Sequence, residues 1–414
     1  MGPQSQSMIY AELLANIGRI SLAVSLSSPC DASTRIAVTA DGNDVELRHQ
    51  AEVHKLRLPG KVALGGAVLP IHKLGVTALS WRLPLETSSS PLQQRGRDAT
   101  ESQAAPWSAI DLEAGSEISC RQCGTVIVNR DVIKVWKDLP SENWAEMMEF
   151  WHCHKPEDAD DENHSHGHGT HHRSETNGGK ADEQSLASRG YGASSTISAQ
   201  ESVGFVDLTT LLFAESDCAS VMFSLSTPEQ GSPSRQSLLE AHNQTRNLNV
   251  FCSSCHTQLG FFNHRTAAAT LSKWQVSCKS ASGASPGISE CLAATLVSTI
   301  SRSASSKSLI TPITDGQADP SAGTTVIHIW VLNSNMVYSS TAAEHSTQAI
   351  KLFYRLISRD EADRMLETVT CDAQEISLPA NALGEATRLL EKSNLLLPDG
   401  ERLFEEWKVG LLTK

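Results

Sequence analysis

Two Cys-x-x-Cys pairs, Cys120-Arg-Gln-Cys123 and Cys252-Ser-Ser-Cys255, stand more than a hundred residues apart and constrain this chain more than any other feature. A two-residue gap lets both thiolates of a pair face one ion from a tight turn. Two such pairs complete a closed tetrahedron of four sulfurs, the structural zinc pattern. Gly124, directly after the first pair, supplies the backbone freedom a knuckle needs. Strand-like residues flank both pairs, at Thr125 to Val128 and Leu248 to Phe251, as in a zinc ribbon. The long gap is compatible with one site, because insertions in surface loops cost little closure entropy. A redox dithiol is the weaker reading, since no βαβ pattern surrounds either pair. Cys153-His154 offers a local alternative, joining Cys120 and Cys123 in a site of three thiolates and one imidazole. That arrangement leaves Cys252 and Cys255 without partners, so Cys120, Cys123, Cys252 and Cys255 are the preferred zinc ligands.

Charge narrows the partners. The 414 residues carry a formal net charge of -13, which argues against a nucleic-acid surface, where a basic face must replace counterions. Protein partners are the expectation. No segment approaches the ~20 apolar residues needed to span a bilayer, and the first residues lack the basic and apolar regions of a signal peptide. The chain holds ten cysteines; in a reducing compartment these are metal ligands, catalytic thiols or small core residues rather than disulfides. The expected location is the cytoplasm or the nucleus.

The pattern predicts a β-rich α+β protein with an N-terminal antiparallel sheet, a zinc-knuckle middle and a C-terminal α+β unit. Alternation marks Ile20 to Leu26, Thr34 to Thr39, Asp44 to Arg48 and Glu52 to Leu58 as strands. The expected divisions are 1–110 (β-rich), 111–265 (zinc-binding, with a disordered insertion at 157–200), 266–323 (polar linker) and 324–414 (α+β). Val132 to Leu139 is expected to pair beside the first knuckle. A helix with a Trp144, Met147, Met148, Trp151 stripe is expected over Pro140 to His152. The insertion combines an acid run, the tract His164 to His172 and Ser-Gly-rich sequence, and cannot bury enough apolar surface to fold. A flexible His tract lacks the rigid support of a metal site. In the last division, Thr324 to Val331 and Met336 to Ser339 read as a hairpin around Asn333-Ser-Asn335. Ala349 to Ile357 and Gln374 to Leu378 read as strands. Asp360 to Thr368, Asn381 to Leu395 and Arg402 to Leu412 read as helices.

No P-loop, dinucleotide fingerprint, nucleophile elbow or kinase set is present. Cys371, between a predicted helix and strand, is a loop thiol beside Asp372. Acids disfavour a thiolate, so by chemistry alone it reads as an incidental thiol.

Leu139-Pro-Ser-Glu-Asn-Trp-Ala-Glu-Met-Met-Glu-Phe-Trp-His-Cys-His154 resembles the helix of the HECT-like ubiquitin-conjugating-enzyme-binding family of ubiquitin-protein ligases. Cys120, Cys123 and Gly124 match that family's first knuckle; Cys252, Cys255, Leu259 and Gly260 match its second. Ile329 to Asn333, Ile350 to Tyr354, Leu378-Pro379 and Arg402-Leu-Phe-Glu-Glu-Trp407 look like its C-terminal segments. The resemblance implies a HECT-like C-terminal region, a ubiquitin-conjugating enzyme, ubiquitin and a protein substrate as partners, and ubiquitin-protein transferase activity. If ubiquitin is carried as a thioester, the C-terminal position makes Cys371 the implied catalytic residue. The family's connection with pre-mRNA 3'-end processing implies the other reading, a non-catalytic zinc-containing scaffold or client-binding protein.

Overall fold

The computed structural model describes residues 6–71, 73–86, 106–139, 198–224, 248–313, 325–343, 345–368 and 371–414. The expected Trp helix, Cys153, His154, the His tract and all of the insertion up to residue 197 lie outside these residues.

Strands dominate the described chain. It begins with β1 (Met8–Leu14), β2 (Arg19–Ser25), β3 (Arg35–Val38), β4 (Asp44–His49), β5 (Glu52–Arg57) and β6 (Ala78–Pro84). The middle carries β7 (Ile118–Cys120), β8 (Val126–Val128), β9 (Val135–Asp138), β10 (Val203–Val206), β11 (Thr210–Ala214) and β12 (Val221–Ser224). It continues with β13 (Leu248–Cys252), β14 (Gln258–Asn263), β15 (Ala268–Ser272) and β16 (Val276–Ser277). Then come α1 (Ile288–Ser303), β17 (Lys307–Pro312), β18 (Thr325–Ser340), β19 (Thr347–Ser358) and α2 (Arg359–Glu367). The last elements are β20 (Gln374–Leu378), α3 (Ala380–Asn394), β21 (Leu403–Phe404) and β22 (Trp407–Thr413).

These elements form two compact units, one from Met1–Pro106 with Pro286–Lys414 and one from Trp107–Ser285. The discontinuous unit is built on a sheet in the order β21-β22-β19-β18-β1-β2-β6, with β17 joining β18 to β20. β1 pairs antiparallel with β2 on one side and with β18 on the other. Alternation explains this placement. Ile9, Ala11 and Leu13 of β1 and Ile20, Leu22 and Val24 of β2 point into one core, shared with Ile36, Val45 and Leu47 of the small β3-β4-β5 sheet. Each such fully buried Leu or Ile contributes about 1.5–3 kcal/mol.

Helices cover the sheet on both faces. Gly410 of β22 lies where Leu390 of α3 approaches, and a Cβ there would meet Leu390 Cδ2 at 2.8 Å. On the opposite face α2 packs through Ala362 and Met365 onto Leu309, Val326 and Ile357. Ser358 caps α2 by accepting the Glu361 backbone N–H at 3.2 Å, and Asp360 and Glu361 fill its first turn.

The continuous unit holds a sheet ordered β12-β13-β14-β15-β11-β10-β9 and a small sheet ordered β16-β7-β8. Ile118, Ile127, Val250, Leu259, Leu271 and Val276 belong to its main core.

Several expectations are corrected. The divisions 1–110 and 324–414 are not separate, because β1 and β18 share one sheet. The span 266–323 is not a linker; it carries β15, β16, α1 and β17. Arg402 to Leu412 is not a helix but the β21–β22 hairpin, because Val409 and Leu411 alternate into the core beside β19. Thr324 to Ser339 is no hairpin: β18 runs through Asn333-Ser-Asn335 and absorbs those residues as register shifts against β19. β9 does not join the first knuckle's strands; it pairs parallel with β10.

Candidate metal centre

Both knuckles adopt the same backbone. In the first, β7 ends on Cys120, the Gly124 N–H donates to the Cys120 carbonyl at 2.8 Å, and the Cys120 N–H donates to the Thr125 carbonyl at 2.8 Å. In the second, β13 ends on Cys252, the His256 N–H donates to the Cys252 carbonyl at 3.0 Å, and the Cys252 N–H donates to the Thr257 carbonyl at 2.9 Å. The residue after the second cysteine is left-handed in each, with φ +76° at Gly124 and +59° at His256. A Cβ at Gly124 would meet no atom within 4 Å, so glycine serves the backbone angle there, not space. Gly260, just beyond the second knuckle, serves space: a Cβ would lie 1.9 Å from the Thr270 carbonyl oxygen. That contact is the β14–β15 pairing itself.

The segment from Ala268 to Ser277 brings the knuckles together. β15 pairs with β14, the strand leaving the second knuckle, and β16 pairs with β7, the strand entering the first (Val276 opposite Cys120). Arg121 fastens the turn between them, donating from Nε to the Val276 carbonyl at 3.2 Å and from its backbone N–H to Gln275 at 3.0 Å.

The result is a thiol cluster. Cys120 Sγ lies 3.7 Å from Cys255 Sγ, Cys123 Sγ lies 3.6 Å from Cys252 Sγ, and all four sulfurs fall within 4.8 Å of one another. Disulfide sulfurs sit ~2.05 Å apart, so these are thiols. Four sulfurs ~2.3 Å from a central zinc have edges near 3.8 Å, and the observed spacing fits that ion. An all-sulfur donor set suits a soft or borderline cation. Cys120 and Cys252 are buried, Cys255 is half-buried and Cys123 is exposed. The Thr125 hydroxyl lies 3.2 Å from the Cys123 sulfur, and the Thr257 hydroxyl lies 3.2 Å from that of Cys255. Without an ion, burial pushes the Cys120 thiol up to about 12, while hydrogen bonds from the Thr125 hydroxyl and backbone hold Cys123 down to about 6. The sulfur geometry lets the cluster hold a metal ion such as zinc.

Cys371 belongs to the other unit, in the loop between α2 and β20 expected for it. It is half-buried against the cluster of Leu309, Val326, Ile357 and Ala362, and its backbone N–H donates to the Thr368 carbonyl at 2.9 Å. The neighbouring Asp372 carboxylate is engaged by Lys307 Nζ at 3.2 Å.

One cluster escaped the sequence reading. Trp330, Phe353, Phe404 and Trp407 form a ladder of rings with centroid separations of 5.1–6.4 Å. His328 stands edge-on to Trp407 at 4.7 Å. Its signal was the spacing of His328 and Trp330 on one strand face, which places both beside Arg355 and Phe353 once β18 and β19 are in register.

Comparison with known proteins gives a family match across nearly the whole chain. The profile described as HECT-like Ubiquitin-conjugating enzyme (E2)-binding covers residues 12–409. An uncharacterized protein of Schizosaccharomyces pombe is 25% identical over 367 residues, covering 87% of this chain and 89% of that protein. An uncharacterized protein of Saccharomyces cerevisiae is 33% identical over 85 residues, 20% of this chain and 24% of that protein. No solved structure matches the chain. Among the described residues, no helix is long and apolar enough to cross a membrane.

Proposed function

Because the chain belongs to the HECT-like ubiquitin-conjugating-enzyme-binding family, we propose that it is a ubiquitin-protein ligase: it binds a ubiquitin-conjugating enzyme and promotes transfer of ubiquitin to a protein substrate in the cytoplasm or nucleus. The observation that carries this reading is the match over residues 12–409, which spans both units. Cys120, Cys123, Cys252 and Cys255 would hold one structural zinc ion and tie distant segments of the continuous unit together. A closed four-sulfur site leaves no ligand free for group transfer.

Transfer through a thioester would use Cys371. Its thiolate would attack the carbonyl carbon of the ubiquitin thioester, forming a new C–S bond while the thiolate of the conjugating enzyme leaves. A substrate lysine amine would then attack the same carbonyl, and the Cys371 thiolate would leave with loss of one amine proton. The Lys307 ion pair supports the role by offsetting the Asp372 charge beside the thiol. The half-buried setting requires the Cys371 side chain to become more accessible first. That setting favours the second reading, in which Cys371 packs α2 and the protein is a zinc-containing scaffold or client-binding protein.

A ubiquitin-discharge assay with charged conjugating enzymes separates the two. A thioester ligase gives a reducible ubiquitin adduct that Cys371→Ala abolishes without changing zinc content. Unchanged discharge by Cys371→Ala rejects the thioester route, and no discharge by the wild-type chain rejects ligase activity with the enzymes used.

A further inference from the structure

The face of the large sheet that α2 covers only in part holds the aromatic ladder. α2 occupies the end of this face at Leu309, Val326 and Ile357. The next rows, His328 with Arg355 and Trp330 with Phe353, lead to Trp407 on β22. The hairpin folds Phe404 flat onto Phe353, with ring planes 5° apart and centroids 5.1 Å apart. Leu403 and Phe404 remain 63% and 50% exposed although one of them stacks on the ladder. A large apolar pair held rigidly at a surface is not explained by the core.

The polar atoms of the face are arranged around the rings. The Arg355 guanidinium lies 4.9 Å from the Trp407 ring and Lys307 Nζ 5.6 Å from the Trp330 ring. Both cations are already matched, Arg355 by Glu406 at 2.7 Å and Glu361 at 3.6 Å, and Lys307 by Asp372. Arg355 thereby links α2 to the hairpin. On the hairpin side of the rings, Glu405, next to Phe404, and Glu401, two residues before Leu403, are exposed and make no ion pair among the described residues. His328 sits 3% exposed under the ladder; its Nδ1 accepts from Arg355 Nε at 3.3 Å, and its Nε2 has no hydrogen-bond partner among the described residues. An aromatic centre with an incompletely neutralised acidic rim is the composition of an interface hot spot for a partner with apolar side chains inside a basic border.

We propose that this face, centred on Trp330, Phe353, Phe404 and Trp407, is where the ubiquitin-conjugating enzyme docks, through apolar side chains bordered by lysine or arginine. The proposal rests on the reading that such an enzyme is a partner, and adds the surface and its charge complementarity. It also places the docked enzyme on the sheet face that carries α2 and the Cys371 loop.

The test uses the full-length, zinc-loaded chain and a panel of purified ubiquitin-conjugating enzymes. Binding is measured by biolayer interferometry at low and high salt. Wild type is expected to bind at least one enzyme, more weakly at high salt. Leu403→Ser with Phe404→Ser is expected to weaken that binding at least about tenfold, the size of a central hot-spot loss. Glu401→Lys with Glu405→Lys touches only exposed side chains and keeps the test valid if the first variant lowers the melting temperature; it is expected to weaken binding and to abolish the salt dependence. If wild type binds but both variants bind equally well, this surface is wrong and the partner reading stands. If wild type binds none of the panel, the partner reading and this surface fall together. If light scattering shows a wild-type dimer that Leu403→Ser with Phe404→Ser converts to monomer, the face joins two copies of the chain and the proposal is overturned.

Discussion

Lys351 Nζ lies 2.6 Å from Glu12 Oε2, closing an ion pair between residues 339 apart in sequence. Both side chains are nearly buried, at 16% and 10% exposure, and the Tyr10 hydroxyl also donates to Glu12 at 3.1 Å. Burial and the Glu12 charge together raise the Tyr10 hydroxyl well above its ordinary range. Removing one partner leaves a buried charge. Lys351→Met should therefore lower unfolding stability by about 3 kcal/mol, and the double variant with Glu12→Gln should recover part of it. Urea unfolding checks this. A single-variant loss under about 1 kcal/mol would rank the pair with exposed bridges.

His328 makes a pH prediction. Burial first, then the Arg355 and Lys307 charges, hold its imidazole down to about 4, with Asp372 pulling the other way. The unfolded chain takes up the proton near 6.5. The native state binds fewer protons between those values, so stability is fully present above about 6.5 and drains as the pH falls toward 4. The histidine contributes at most about 3 kcal/mol of that loss. His328→Gln should flatten the dependence over this window when denaturant unfolding is compared at pH 7.5 and 4.5. Identical pH slopes in the two proteins would contradict the assignment.

Metal removal probes the cysteine cluster. The purified chain should carry one zinc per molecule by elemental analysis. A strong chelator, or Cys252→Ser, should abolish the cooperative unfolding of the continuous unit, because ligand-binding energy is folding energy in such sites. Metal-free protein with an unchanged thermal transition would show that the sulfurs assemble without an ion.

The two knuckles differ in one residue that tests their geometry. His256 holds φ +59° with a side chain, where Gly124 has none. His256→Gly should raise stability by up to about 1 kcal/mol and Gly124→Ala should lower it by a similar amount. Gly260→Ala should cost about 3 kcal/mol, since the new methyl has no room beside Thr270. The order of the three melting temperatures is the observable; a stabilising Gly260→Ala would invalidate the packing argument.

Local pattern revealed much of this. The cysteine pairs found each other as their spacing implied, and Gln374–Leu378 is a strand with the expected ends. The Asn381 to Leu395 helix is offset by one residue from Ala380–Asn394. What stayed hidden depends on partners distant in sequence. α1 read as polar because of its serines and threonines, yet Ile288, Leu292, Leu296 and Thr299 are buried at helical spacing. Its hydroxyls donate back to carbonyls one turn earlier, Thr295 to Cys291 at 2.9 Å and Ser303 to Thr299 at 2.7 Å, so they add little polarity. β22 was misread because its flanking charges suit a helix; its alternation has meaning only beside β19. The aromatic ladder was invisible for the same reason, since its rings come from four strands.

The place of β1 also sets a timetable for synthesis. One edge of β1 can pair with β2 almost at once, but the other waits for β18, whose Thr341 neighbour lies 332 residues downstream of Ile9. At ~5–20 residues per second that wait is about half a minute. Throughout it the ribosome presents an apolar strand with an open edge, the form most apt to pair with a neighbouring chain. The whole of Trp107–Ser285 leaves the ribosome in that interval. Slower translation lengthens that exposure, because the open edge closes only when β18 has been made.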